Sequence, residues 1–384
     1  MASKTLALAA MVSAVLASPA GLRQARQSSV ITGSPIGFAS GATGGGDAAP
    51  VYPTTIEDLT SYLTSAEPQV IVISGSFDFV GSEGTETLKG CNSYSCDPSN
   101  GGQALLNTLE GCGDHELYDI TIDKAGAQGI NVASDKTLVG LGTDTVLNGK
   151  GLRFVDVENI IVQNIAITNL NPQYVWGGDA LSFSGTSTIW IDHVTTSSLG
   201  RQHYSFGQDS DSLITISNSF INGQTDYSAT CDGHTYWTLE LVGSADQITF
   251  YKNYVYNTSG RSPALSGDTL FHAVNSVWEN NSGHALEGTD TGKGLFEGCV
   301  FKNIPNIADD GFVGLLFSSD EASVGMCSAS LGRECQTNIY TESGPFSYSE
   351  DLFAAFEGLT VVDADSAAEI QDVVPTSAGN TLST

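Results

Sequence analysis

The chain has 384 residues, with 14 Lys and Arg against 43 Asp and Glu, a formal net charge of −29 and 40% apolar residues. So acidic a chain lacks the basic face on which a nucleic-acid binder displaces counterions, and its apolar share, with aromatics spread along the whole length, excludes wholesale disorder. Its length allows one large core that needs no staples to exist.

The first twenty residues read as a signal peptide. Lys4 supplies the positive start, Thr5 to Ala17 form an apolar run of about 13 residues, too short to span a bilayer, and small residues follow at Ala17, Ser18 and Ala20. Trimming can extend to about residue 30, since Arg23 and Arg26 belong to the leader, and one domain is expected over 31–384. No later stretch reaches transmembrane length, so the protein is expected to be secreted, with no membrane or nucleic-acid partner. Next in the chain, TTIEDLTSYLTS (54–65) carries Ile56, Leu59, Tyr62 and Leu63 at amphipathic helical spacing, suited to capping the end of a larger structure.

Export makes disulfides possible. Cys91, Cys96 and Cys112 cluster in a Gly/Ser/Asn-rich insertion, Cys231 stands alone in SATCDGHTYW, and Cys327 and Cys335 flank a short loop. Cys299 lies at an apolar position of GLFEGCVFKN; seven cysteines leave one over, and a buried free thiol is its expected fate. No CxxC or HxxxH spacing accompanies them, which argues against zinc.

From about residue 119 the sequence repeats a texture. ENIIVQNIAITN (158–169), STIWIDHVTTSS (187–198), DSLITISNSFIN (211–222), DQITFYKNYVYN (246–257), DTLFHAVNSVWEN (268–280) and GKGLFEGCVFKN (292–303) each pair two short β-branched or aromatic runs around a polar centre. Gly, Ser, Asp and Thr fill the gaps. The period is irregular, roughly 22 to 35 residues, too short for the four strands of a propeller blade and suited to a coil of an all-β parallel β-helix. Asn164, Asn218, Asn253 and Asn275 recur at one phase and are expected to stack as a ladder at the bend. The sequons at Asn257 and Asn280 fit glycosylation in a secretory pathway. The last thirty residues, from about Phe356, are expected to wrap the outside or fray.

Three strings, with one aromatic addition, stand out as candidate chemistry. YVWGGDAL (174–181) sets two glycines between Trp176 and Asp179, which would let backbone and ligand approach closely. LGRQHYSFG puts Arg201 in a polar turn, and NTSGRSPAL puts Arg261 after a glycine. Tyr236 and Trp237 would form a sugar-stacking shelf if exposed. Each feature alone is equally at home as a turn glycine, a salt-bridged arginine or a core tryptophan.

Taken in order, VYPTTIEDL, GGDA, WIDHVTTSSLGRQHY, DYSATCDGHTYW and SGRSPAL resemble the fungal pectin lyases of polysaccharide lyase family one, over about residues 34 to 360. The resemblance implies a single-domain, right-handed parallel β-helix that cleaves methyl-esterified homogalacturonan by β-elimination. It also implies pairing of Cys91 with Cys112, Cys96 with Cys231 and Cys327 with Cys335. By the same likeness Arg261 falls at the catalytic arginine, the base of the elimination. Asp179 matches an acid that ligates calcium in pectate lyases, and Arg201 falls where the family replaces a second ligand carboxylate, so no metal or other cofactor is expected. Asp192 and His193 of WIDH fall in the strand stack, away from the groove. Asp309 and Asp310 suggest the carboxylate pairs of polygalacturonases, whose other strings are missing.

The chemistry explains the residue types. The C5 proton of a galacturonyl unit lies α to the C6 carbonyl; its removal builds enolate charge there, and the C4 oxygen then departs. A free carboxylate would acquire a second negative charge, whereas an ester does not, and fixed cations suffice for it. Arginine is an awkward base, with a pKa above about 12, so burial and the neighbouring cation Arg201 are expected to push Arg261 down; an electrostatic role, with hydroxide or a relay taking the proton, stays open. The net charge points the same way, since an acidic protein repels polygalacturonate and not its neutral ester. Calcium-dependent pectate lyase and a non-catalytic pectin-binding β-helix are the competing readings. Two departures matter: the lysine common after GRSP is Ala264, and the insertion around Cys91–Cys112 lacks tryptophan. A monomer is expected, because a capped solenoid offers no open end.

Overall fold

A computed structural model describes residues 30–383, apart from 345, 347 and 348. The signal segment expected over 1–20 lies outside the described residues. Among the described residues no helix is long and apolar enough to cross a membrane.

The chain winds as a right-handed parallel β-helix with three strands per coil. One coil comprises Glu158–Gln163, Ala166–Leu170 and Leu181–Ser184; the next, Ser187–Asp192, Thr195–Leu199 and Tyr204–Phe206; the third, Ser212–Ser217, Phe220–Asn222 and Leu239–Leu241. The fourth holds Gln247–Tyr251, Tyr254–Thr258 and Ala264–Leu265, and the fifth Leu270–Val274, Val277–Asn281 and His284–Leu286. The first two strands of each coil are the paired runs legible in the sequence. The third strand, only two to four residues long, falls inside what read as gaps.

Alternation explains the stacking. Ile160, Ile189, Ile214, Ile248 and Phe271 face one another in five successive coils and are fully buried. On the third face, Phe154, Phe183 and Phe206 stack with ring centroids 5.0 and 4.4 Å apart. Each such side chain contributes about 1.5–3 kcal/mol by leaving water, so the column is the main source of stability. The expected helix spans Ile56–Thr64; the Thr55 hydroxyl accepts the Asp58 N–H, and Leu59 and Leu63 close the end of the core.

The bend between first and second strands holds one residue per coil in the left-handed region: Asn164, His193, Asn218, Lys252, Asn275 and Gly298. The expected ladder is thus corrected. Asn164, Asn218 and Asn275 occupy that position, but Asn253 sits one residue later, donating to the Ile216 carbonyl and accepting from the Ser219 N–H. The bend requires a positive φ, which a short polar side chain tolerates, and histidine, lysine and glycine fill it in the other coils. This column also receives the C-terminal segment, which wraps as expected. Asn275 exchanges hydrogen bonds with the Asp365 backbone, the Gly379 N–H donates to the Asn218 carbonyl, and Leu382 to the Asn164 side chain. On the first face the N-terminal segment is sewn down by Thr215, Thr249 and Gln163.

Asn257 and Asn280 stand in a second left-handed column, half-exposed and in adjacent coils. Disulfides join Cys91 to Cys112, Cys96 to Cys231 and Cys327 to Cys335, while Cys299 is a buried free thiol. Cys96–Cys231 ties the insertion to the loop that carries Tyr236 and Trp237. Asp192 is buried and accepts from Gln163, Ser217 and Asn218, which makes it a stitch between coils, with His193 hydrogen-bonded beside it.

Candidate active site

The third face carries an outward column of Asn131, Arg153, Ser182, Ser205, Glu240 and Ala264, with Ala264 bridged to Glu287. Leu239 and Leu241 point into the core, which leaves Glu240 on the surface side by strand alternation. Around this column five successive coils each contribute one charged side chain, of alternating sign: Asp179, Arg201, Glu240, Arg261 and Glu287.

Asp179 and Arg201 form a forked pair, Nε to Oδ1 at 2.9 Å and Nη2 to Oδ2 at 2.8 Å, and the Gln202 N–H adds a third bond to Oδ1. Arg201 also lies 3.5 Å from Glu240 and stacks 3.9 Å from the Trp176 ring centroid. Burial acts to lower the Arg201 pKa, but Asp179 and Glu240 outweigh it and hold the guanidinium above its ordinary value. The glycines of GGDA serve a different approach from the one expected. A Cβ on Gly178 would lie 2.0 Å from the Gly126 carbonyl oxygen, and one on Gly177 2.6 Å from those of Asn171 and Tyr174, so the contact is backbone on backbone.

Arg261 has a positive φ of 45°, a strained position for a long side chain. Its Nη1 donates to Glu240 at 2.8 Å and its Nε to Glu287 at 3.0 Å, and the guanidinium also bears on the Tyr236 hydroxyl. Glu240 therefore stands between the two arginines. The cation–cation repulsion expected to act on Arg261 is replaced by a bridging carboxylate on one side and Glu287 on the other. Burial raises Glu287, but hydrogen bonds from His284 and Tyr236 and the Arg261 charge prevail, holding its carboxyl below the usual range. The hydrogen bond to Glu287 in turn holds His284 above its ordinary value.

The aromatic shelf is only partly available. Trp237 is half-buried, donates Nε1 to Gln103 and lies 5.1 Å from the Arg261 guanidinium. Tyr236 is bound through its hydroxyl to Glu287, and burial followed by that carboxylate pushes its pKa up to about 12. A Cβ on Gly260 would meet the Tyr236 ring at 2.3 Å, which explains the glycine before Arg261. Trp176, by contrast, is exposed.

The six residues expected at the site, Trp176, Asp179, Arg201, Tyr236, Trp237 and Arg261, are brought together. Glu240, Glu287 and His284 were missed. The signal was present in the alternation of LEL and HALE, where one acid breaks an apolar strand, but nothing in sequence marked those triplets as strands. Asp309 and Asp310 line a different cavity of about 520 Å³ that shares no residue with the charged row.

A calcium ion needs several converging oxygens. Both oxygens of Asp179 are engaged by Arg201, whose guanidinium fills the space toward Glu240. The residues present do not fit that ion here.

Residues 104–364 match the protein-family model described as pectate lyase. The chain is 73% identical over 361 residues to a probable pectin lyase E of Aspergillus niger, covering 94% of this chain and 98% of that one. It is 47% identical over 386 residues to pectin lyase A of Emericella nidulans, covering 99% and 100%. Among solved structures it resembles a pectate lyase from Bacillus sp. N165 in complex with trigalacturonate (TM-score 0.56, 18% identity, 90% and 98% covered). It also resembles a pectate lyase from Paenibacillus sp. 0602 (TM-score 0.57, 13% identity, 91% and 97% covered). At these identities the structural likeness speaks to the fold alone.

Proposed function

The chain belongs to the pectate lyase family, and on that premise we propose that it is a secreted pectin lyase that cleaves methyl-esterified (1→4)-α-D-galacturonan by β-elimination, releasing 4,5-unsaturated oligogalacturonides. Disulfides agree with an oxidising, extracellular address, and Asn257 and Asn280 are the acceptors for its glycans. The enzyme acts as a monomer.

The observation that carries this reading is the alternating row, in which two guanidinium groups are held between three carboxylates. Removing the C5 proton of an esterified unit puts one negative charge on the C6 ester oxygen. Arg261 meets that charge with a preorganised donor, Arg201 adds its field from the neighbouring coil, and the C4 oxygen leaves as the C4–C5 double bond forms. Because Arg261 is ion-paired on two sides, its contribution is electrostatic, with hydroxide or a relayed water taking the proton. Trp176 and Trp237 offer apolar faces to the sugar rings.

The test follows the ultraviolet absorbance of the new conjugated bond on pectins of high and low ester content, with and without a chelator. Activity on the esterified polymer that survives chelation supports the reading. Activity confined to the de-esterified polymer and silenced by chelator would overturn it.

A further inference from the structure

A groove built to stabilise negative charge carries three acids, and two of them flank Ala264, the place where a lysine is missing. Strand register sets Glu240 opposite Ala264, and Ala264 opposite Glu287, so the methyl group of the fourth coil lies between a carboxylate of the third coil and one of the fifth. Arg261 spans that gap, with Nη1 on Glu240 at 2.8 Å and Nε on Glu287 at 3.0 Å, while Arg201 holds the far side of Glu240 at 3.5 Å. The five charges of the row comprise two cations and three anions. Neither arginine is an unpaired cation.

We infer that Glu240 is a specificity-determining residue that rejects unesterified uronate at the reacting subsite, an inference that rests on the pectin lyase reading. A substrate unit whose C6 is to meet the Arg261 guanidinium must bring that C6 close to the flanking carboxylates. A free carboxylate there either repels Glu240 and Glu287 or displaces one of them from Arg261, and both cost energy in a partly desolvated groove. A methyl ester carries no charge, so it accepts from the guanidinium without disturbing either pair. Glu287 is anchored independently by Tyr236 at 2.5 Å and His284 at 2.8 Å, whereas Glu240 is held by the two arginines and a long 3.5 Å contact from Ser205. Glu240 is therefore the member of the pair whose charge can be removed with the rest of the network left standing.

The discriminating experiment compares kcat and KM on low-ester and high-ester pectin for the wild-type chain, Glu240→Gln and Ala264→Lys, with thermal melting of each. Glu240→Gln keeps the shape and one acceptor for Arg261, and is expected to raise the ratio of kcat/KM on low-ester to high-ester pectin about ten-fold, chiefly through a lower KM for the low-ester polymer. Ala264→Lys, which sets an ammonium between the two carboxylates, is expected to move the ratio in the same direction and stands in if the first variant does not fold. A ratio unchanged in the folded variant, with equal losses on both pectins, would reduce Glu240 to a structural strut and overturn the inference while leaving the lyase reading intact. A wild-type chain that forms no unsaturated product from either polymer would remove that reading, and this inference with it.

Discussion

Two sets of acids climb this solenoid in quite different company. Asp211 and Asp246 lie at the bend from the third strand into the next coil, both fully buried, with the Asp211 N–H donating to Asp246 and no cation among their hydrogen-bond partners. Burial, with the neighbouring acids adding to it, pushes Asp211 up to about 6 and Asp246 up to about 7. On the third face, Asp179, Glu240 and Glu287 are stacked in the same helical manner, yet each touches a guanidinium, and Glu287 is held below the usual range despite its burial. The repeat stacks like on like whether or not that is favourable. What differs is whether arginines from the intervening coils alternate with the acids, and this decides which set can run chemistry and which only sets the pH range of the fold.

Removing the cation proposed to meet the reacting unit tests the charged row most severely. Arg261→Ala is expected to cut kcat about 10²–10³-fold while leaving the melting temperature nearly unchanged, since Glu240 keeps Arg201 and Glu287 keeps His284 and Tyr236. Near-normal turnover in a folded variant would end its catalytic assignment. Asp179→Ala strips Arg201 of its forked partner in a mostly buried setting and is expected to destabilise the fold by about 3 kcal/mol, read by denaturant unfolding. If stability is unaffected, the pair is a surface contact and not a structural element of the row.

The buried acids give the complementary test. Their folded pKa values are raised, so the stability they confer is complete below the ordinary carboxylate value of 3.8 and is lost as the pH rises through about 6 to 7, where the folded protein must give up the proton. Asp246→Asn is expected to flatten this slope, leaving the variant about 2 kcal/mol less penalised than wild type above neutrality. Parallel stability curves would show that the pair is solvated. A further effect is expected at the bend: Asn164→Ala removes the acceptor for the Leu382 N–H and the donor to the Gly140, Gly142 and Leu382 carbonyls at a left-handed position, and should cost about 2 kcal/mol, visible as faster proteolytic trimming of the C-terminal segment. Equal trimming rates would detach that asparagine from the role of clamp.

The legible part of the molecule was its regular part. WIDHVTTSS and DSLITISNSFIN announce two strands around a polar bend because alternation over five or six residues is a strong local signal. LEL, HAL and the two-residue strand at Ala264 are too short for any periodicity, and they carry the site. The arginines and Asp179 stood out in three local strings but were given roles only through the resemblance, and Glu240 and Glu287 were missed because an isolated acid in a short strand looks like an ordinary exposed position. The expectation that Arg201 would act on Arg261 as a bare neighbouring cation failed for the same reason, since the acid between them lies 39 residues from one and 21 from the other.

By itself the sequence determined the solenoid, its capping helix and an acidic character, because each follows from composition or from spacing within one coil, while the residues that a lyase needs were assigned through the resemblance. Only the tertiary structure decided the order of charges across coils and the partners of each guanidinium. Those depend on lateral stacking, in which residues twenty to forty positions apart become neighbours at strand spacing, and no local pattern encodes that distance.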